Sequence, residues 1–221
     1  MSGMRTIRVT GKGQIRVKPD MTRITLTVEG VFPDYGEALF RSSRDTEELR
    51  ALFGGFGFEP SDLKTLNFSM DTEYRNYKVG NEYRQRFEGY KFVHRMKIEF
   101  ESDNARLGRI LFALAHSPVK PEFRLSYTVK DQEAAKNELL GRAVKDAMDK
   151  AAVLARAAGV TLGDIQSIDY SWGRIEFEVH PTDDLLMEAA PMTMSADSYD
   201  LDIEPDDIEV TDTVTVLWQI S

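Results

Sequence analysis

Cysteine is absent from the 221 residues, which removes disulfides, thiolate nucleophiles, cysteine-ligated zinc and thiol redox sensing from consideration. Histidine is scarce: His94, His116 and His180 are far apart, with no His-x-x-x-His spacing to set two imidazoles on one helix face for a metal. No Gly-x-Ser-x-Gly elbow occurs, so a serine hydrolase has no support. No stretch approaches the ~18 apolar residues that a membrane helix needs. The N-terminal Met-Ser-Gly-Met-Arg-Thr-Ile-Arg-Val has no apolar signal-peptide core. As it stands the chain is expected in the cytoplasm, or in the periplasm or beyond if a leader precedes it.

Positive charge is missing from one long stretch. Residues 175–221 contain thirteen Asp and Glu and no Lys or Arg, leaving 24 acids against all 28 Lys and Arg in residues 1–174. The net charge of -9 is thus a mildly basic body with a strongly acidic end. A nucleic-acid binder concentrates positive charge on one face, and nothing here requires that. The acidic end reads instead as a solvated loop, or as a partner for the basic body of a neighbouring copy. With 42% hydrophobic and 29% charged residues, the composition is that of a globular protein. A chain of this size buries roughly 70% of its unfolded surface. One domain over 1–221 is expected, divisible into subdomains at about 1–102 and 103–221.

Periodicity gives the elements. Ile7 and Val9, then Ile15 and Val17, flank Thr10-Gly11-Lys12-Gly13 and read as two short strands around a glycine turn or bulge. Ile24, Leu26 and Val28 alternate with polar residues as a half-buried strand. Pro33-Asp34 opens a helix whose stripe is Ala38, Leu39, Ser42, Thr46, Leu49, Leu52 and Phe53, stopped by Gly54-Gly55 and Gly57. Leu66, Phe68, Met70 and Thr72 face Tyr90, Phe92, His94, Met96, Ile98 and Phe100 across a hairpin with its tip at Gly80-Asn81. The distal part of that hairpin interleaves Tyr74, Tyr77, Tyr83 and Phe87 with Arg75, Lys78, Arg84 and Arg86. It is longer than ordinary strands and is expected to project, either solvated or against another subunit. Asp103-Asn104 caps a second helix with Leu107, Ile110, Leu111 and Leu114 inward. Phe123 to Val129 alternates as a strand. Asp131 opens the longest helix, an alanine-striped rod ended by Gly159, about 42 Å long at 1.5 Å per residue. Residues 180–207 have no period and form an acidic loop; Ile208 to Ile220 is a last, apolar strand. The pattern is α+β: mainly antiparallel sheets against three helices, one of them long, with a projecting β-hairpin.

No motif supplies chemistry. Gly11-Lys12-Gly13 has strands on both sides, whereas a phosphate loop runs from strand to helix. Pro19-Asp20 reads as a turn whose aspartate bonds local amides. Asp200-x-Asp202-x-Glu204 lacks an EF-hand's glycine and glutamate, with Pro205 and Thr211 in those places. His94 falls on an apolar strand face and reads as a hydrogen-bonded core residue. Asp146 and Lys150 form an i,i+4 ion pair. No catalytic, cofactor-binding or metal residue is singled out, no cofactor is expected, and the reading leans away from an enzyme.

The order of short motifs resembles the SIMPL-domain family, which includes bacterial periplasmic immunogenic proteins. The stretches that carry the resemblance are Ile7-x-Val9-x-Gly11-x-Gly13-x-x-x-Val17-x-Pro19-Asp20, the strand Ile24–Val28, Phe56-Gly57, Asp62-Leu63-Lys64-Thr65 and Gly89-Tyr90. The most specific piece is Ala143-Val144-x-Asp146-Ala147-x-x-Lys150-Ala151-x-x-Leu154-Ala155, with Gly159 and Leu162-Gly163. The resemblance covers nearly the whole chain except the acidic segment. It implies an α+β fold, assembly as a large homo-oligomer, no established catalytic site, and links to oxidative-stress tolerance and the cell envelope. A mammalian relative takes part in kinase signalling. The export signal of many bacterial relatives is not matched here.

These readings give three expectations. The first is a non-enzymatic oligomeric assembly or interaction module, with hairpin arm and acidic tail between copies. The second is a small-ligand binder or enzyme with a site between sheet and long helix. The third is an adaptor whose acidic loop takes a basic protein partner. No nucleic acid and no transmembrane segment are expected.

Overall fold

The structure, a computed structural model, describes residues 5–79, 82–170, 175–180 and 203–221. The expected hairpin tip at Gly80-Asn81 and most of the expected acidic loop lie outside the described residues. The chain makes two compact units, neither continuous in sequence. One takes Met1–Asp20, Thr128–Val179 and Asp206–Ser221; the other takes Met21–Tyr127 and His180–Pro205.

In the first unit, β1 (Thr6–Val17) pairs antiparallel with β8 (Ile208–Ile220) along its whole length, from Thr6↔Gln219 to Val17↔Ile208. β8 also pairs with β6 (Leu162–Asp169), so the last strand is the middle one. That explains its apolar face: Val210, Val214, Val216 and Trp218 are buried. α3 (Gln132–Ala158) lies on this sheet. Its N-cap Asp131 accepts from the Ala134 amide, and Gly159 ends it in the left-handed conformation at φ 69°. Its buried stripe of Ala143, Ala147 and Ala151 meets Val9, Val214, Val216 and Trp218. A second cluster around Ile15, Leu139, Val129, Phe177 and Ile208 closes the other end; β7 (Glu178–Val179) follows Phe177.

The expected glycine turn at residues 10–13 is not there. β1 is one continuous strand, and Gly11 and Gly13 sit in its buried alternation between Val9 and Ile15. A Cβ on Gly11 would stand 2.1 Å from the Ala143 carbonyl oxygen and 2.4 Å from the Ala147 nitrogen; one on Gly13 would stand 2.2 Å from the Leu139 carbonyl oxygen. The glycines therefore permit close approach of strand and helix backbones. The local string looks like a turn, but the cause of its composition is about 130 residues away.

In the second unit the strands run in the order β3 (Lys64–Val79), β4 (Glu82–Glu101), β2 (Met21–Phe32), β5 (Glu122–Thr128, of which Thr128 belongs to the first unit). The helices are α1 (Tyr35–Gly54) and α2 (Asn104–Ala115), with N-caps Asp34 and Asp103 accepting from the Glu37 and Arg106 amides. Ile24, Leu26, Leu49, Phe53, Phe92, Met96, Ile98, Leu107 and Ile110 form a core of large side chains, each contributing about 1.5–3 kcal/mol by burial. The α+β class, with antiparallel sheets and three helices, is as the pattern implies.

Leu39, Leu66 and Phe68, all on expected apolar faces, are exposed instead. Leu39 lies off the buried stripe of α1, which is Ala38, Ser42, Asp45, Thr46, Leu49 and Phe53. Leu66 is the extra residue of a β-bulge between Thr65↔Met96 and Asn67↔Arg95. Phe68 keeps the expected face, with its ring edge-on to His94, but β3 is the sheet's edge and one side of the ring stays open.

Candidate functional site

The described residues bring none of the sequence's polar candidates together as a catalytic group. His94 is buried between α1 and β3. Thr46 Oγ1 donates to the Ser42 carbonyl at 2.8 Å and stands 3.1 Å from His94 Nδ1; Thr65 Oγ1 stands 2.8 Å from Nε2. With the Thr46 proton committed to Ser42, Nδ1–H donates to Thr46 and the neutral ring accepts from Thr65 at Nε2. Burial holds the His94 pKa below its ordinary value, and the Arg50 charge adds to this. The hydrogen-bonded core histidine expected from the sequence is what stands there. His116 caps α2, its Nδ1 2.8 Å from the Phe112 carbonyl and its ring against Phe112. Among the described residues no three His, Asp or Glu converge as metal ligands. No helix of the described residues is long and apolar enough to cross a membrane.

Asp146 does more than pair with Lys150. Its Oδ2 accepts from Lys150 Nζ at 2.6 Å and from the Lys12 backbone amide at 2.7 Å, and both bonds hold the carboxyl below its usual range, the Lys150 bond most. The amide of the Gly-Lys-Gly string is thus engaged with α3. Asp20 likewise accepts from the distant Lys130 amide at 2.7 Å rather than from local amides. Both are anchors within the first unit. Spacing alone could not reveal them, because each bond spans more than a hundred residues.

What remains without an internal role is the outer half of the β3–β4 hairpin. β2 pairs with β4 only as far as Phe32↔Tyr90, so beyond Gly89 the two strands continue as a ribbon to Val79↔Glu82. They leave the sheet at a bulge that skips Glu88, between Glu73↔Gly89 and Tyr74↔Phe87. Gly89 has φ 148°, and a Cβ there would meet the Phe32 carbonyl oxygen at 2.2 Å, so only glycine fits the exit. The ribbon reaches about 23 Å at ~3.3 Å per residue. Register assigns its faces. Tyr74, Phe87, Asn76, Gln85, Lys78 and Tyr83 share one; Arg75, Arg86, Tyr77 and Arg84 share the other. On the first, edge-to-face contacts run from Tyr35 through Tyr90 and Phe87 to Tyr74, with centroids 5.5, 5.5 and 5.6 Å apart. Tyr83 beyond them is 77% exposed. On the second, Arg75 and Arg86 stand directly opposite, an arrangement unfavourable between like charges; Glu88 at 3.8 Å from Arg75 relieves it in part.

Comparison with known proteins places this geometry in context. The SIMPL family model, described as a protein of unknown function (DUF541), matches residues 7–218. An uncharacterized protein, YggE, of Edwardsiella ictaluri is 22% identical over 212 residues, covering 96% of this chain and 85% of that protein. The 26 kDa periplasmic immunogenic proteins of Brucella melitensis and Brucella abortus are each 28% identical over 163 residues, covering 73% of this chain and 65% of their own length. The chain thus spans just under two thirds of the two Brucella relatives.

Proposed function

The chain belongs to the SIMPL family, and from that premise we propose that it is a non-enzymatic assembly module that joins copies of itself through the β3–β4 arm. The observation that carries this reading is the ribbon: exposed aromatics on one face, paired arginines on the other, and no third strand beside it among the described residues. A two-stranded ribbon is marginal alone in water, and exposed aromatic surface of this kind is what interfaces bury. The arginine face carries three arginines against Glu88 and Glu82 as ion-pair partners, which leaves it attractive to further negative charge. Residues 175–221, with thirteen acids and no Lys or Arg, supply it in a second copy. The Brucella relatives are named periplasmic, which supports work in the cell envelope when a leader precedes the chain. The stress-related role rests on the family resemblance.

Reversing charge in Arg75→Glu, Arg84→Glu and Arg86→Glu together tests this. The triple variant should keep its circular dichroism and lose its assembled mass in light scattering. An unchanged assembled mass would remove the arm from the interface. A second reading, a small-ligand site between sheet and long helix, is favoured by a shallow groove of about 350 Å³ lined by Val9, Asp149, Lys150, Val153 and Leu154. A retained small mass in native mass spectra, lost in Val153→Asp, would support it.

A further inference from the structure

The second unit holds a cleft of about 310 Å³ bounded by α1, β2 and the connection from α2 to β5, at the lower end of the range for small-molecule sites. Val28, Phe32 and Phe92 give it an apolar wall, the two rings stacked 6.2 Å apart. Asp45 lines the same cleft although it is only 6% exposed. Its Oδ1 is ion-paired to Arg41 Nε at 3.1 Å without a well-aligned hydrogen bond, so the cost of burying the carboxylate is only partly offset. Burial raises its pKa, against the opposing pull of the Arg41 charge. Lys120 lines the cleft as well. It is the one non-glycine residue with positive φ among those described, at 46°, and it precedes Pro121, where a helical backbone is disfavoured. Strain of this kind persists only where the surroundings impose it, and it collects at ligand clamps. Glu122, two residues on, also lines the cleft.

We propose that this cleft binds a small zwitterion with an apolar side chain, of the α-amino acid class. Lys120 and the terminal nitrogens of Arg41 face the carboxylate, Asp45 and Glu122 take the ammonium, and Phe32 and Val28 receive the side chain. Arg41 meets Asp45 through Nε, which leaves its two terminal nitrogens for a bidentate carboxylate contact. A ligand with one charged end would engage only the basic or only the acidic residues of the cleft. A cleft with both signs of charge over an apolar wall rejects simple fatty acids and simple amines alike.

Calorimetric titration of the full chain with leucine and phenylalanine tests the assignment, alongside 4-methylpentanoate and 3-methylbutylamine, which carry one charged end each. The expected result is binding of at least one amino acid, with both one-ended analogues weaker by about tenfold or more. Lys120→Gly keeps the backbone angle that glycine accepts, so it should fold and yet lose affinity by about tenfold. Arg41→Lys, which keeps the charge but not the fork, should weaken binding in the same direction. The proposal is overturned by absence of binding at millimolar amino acid, by equal affinity for the carboxylate alone, or by unchanged affinity in Lys120→Gly.

Discussion

The inner and outer halves of β3 and β4 are the same two strands under different constraints. From Tyr90 to Phe100, β4 buries Phe92, His94, Met96, Ile98 and Phe100 in alternation; from Glu82 to Glu88 every residue is exposed. Both halves are rich in aromatics, so hydrophobicity alone does not decide which is core. The decision is made by β2, whose pairing ends at Tyr90, and by the helices, whose Ala38, Leu49, Phe53, Leu107 and Ile110 share one core with the inner half. Aromatic residues without cover stay exposed on the arm, and the inner half shows what the same chemistry does when it has cover.

The comparison is sharpened most by truncating one ring on each side. Phe92→Ala, at a fully buried position, should cost about 3–5 kcal/mol in urea unfolding. Tyr83→Ser, out on the arm, should stay within about 0.5 kcal/mol. A large loss from Tyr83→Ser would mean that the arm packs on the body and is no free surface.

A second pair contrasts two glycines that face or avoid backbone. Gly11→Ala drives a Cβ into the Ala143 carbonyl and the Ala147 nitrogen, where no side chain can yield. Overpacking of this kind costs about 1–3 kcal/mol, which outweighs the ~0.4–1 kcal/mol that replacing glycine gains through the unfolded state. Gly141→Ala, in the middle of α3 with nothing within 4 Å of its Cβ, should instead stabilise by about 1 kcal/mol. Thermal unfolding of the two variants should therefore shift in opposite directions.

A third prediction concerns His94. Its folded pKa lies below the ordinary 6.5, so the unfolded chain binds a proton first as pH falls. Its contribution is intact above about pH 6.5 and is lost as pH drops from there toward the folded pKa. His94→Gln should flatten that part of the stability profile. A slope unchanged by the substitution would assign the effect to other groups.

Helices and strands were readable from spacing because their signals are local. Asp103 and Asp131 cap, Gly159 stops, and alternation marks β2 and β4. What was not readable depends on distant partners. Gly11-Lys12-Gly13 has the composition of a turn, and only α3 gives its reason. Leu66 keeps strict alternation in sequence, yet a bulge turns it outward. Asp45 falls among the charged residues of α1 with no mark to separate it from Arg41, Arg44 or Glu48. Lys120 reveals nothing in sequence of its backbone angle. The arm was visible as an over-long hairpin with mixed aromatics and arginines, though the bulge at Glu88 and Gly89 that releases it was not.

On the arm itself the smallest stability change should accompany the largest change in assembly. Tyr83→Ser combined with Phe87→Ser removes aromatic surface from one face, and sedimentation velocity should report a smaller particle at equal concentration.

Absolute mass in solution by light scattering, at low and at high salt, tests the central claim most directly. Charge pairing between the arginine face and the acidic end is screened as ionic strength rises, since the Debye length falls from ~10 Å at 0.1 M to ~3 Å at 1 M. A discrete multiple of the single-chain mass that declines with salt is the predicted result. The mass of one chain at every concentration and salt would contradict an assembly module built on the β3–β4 arm.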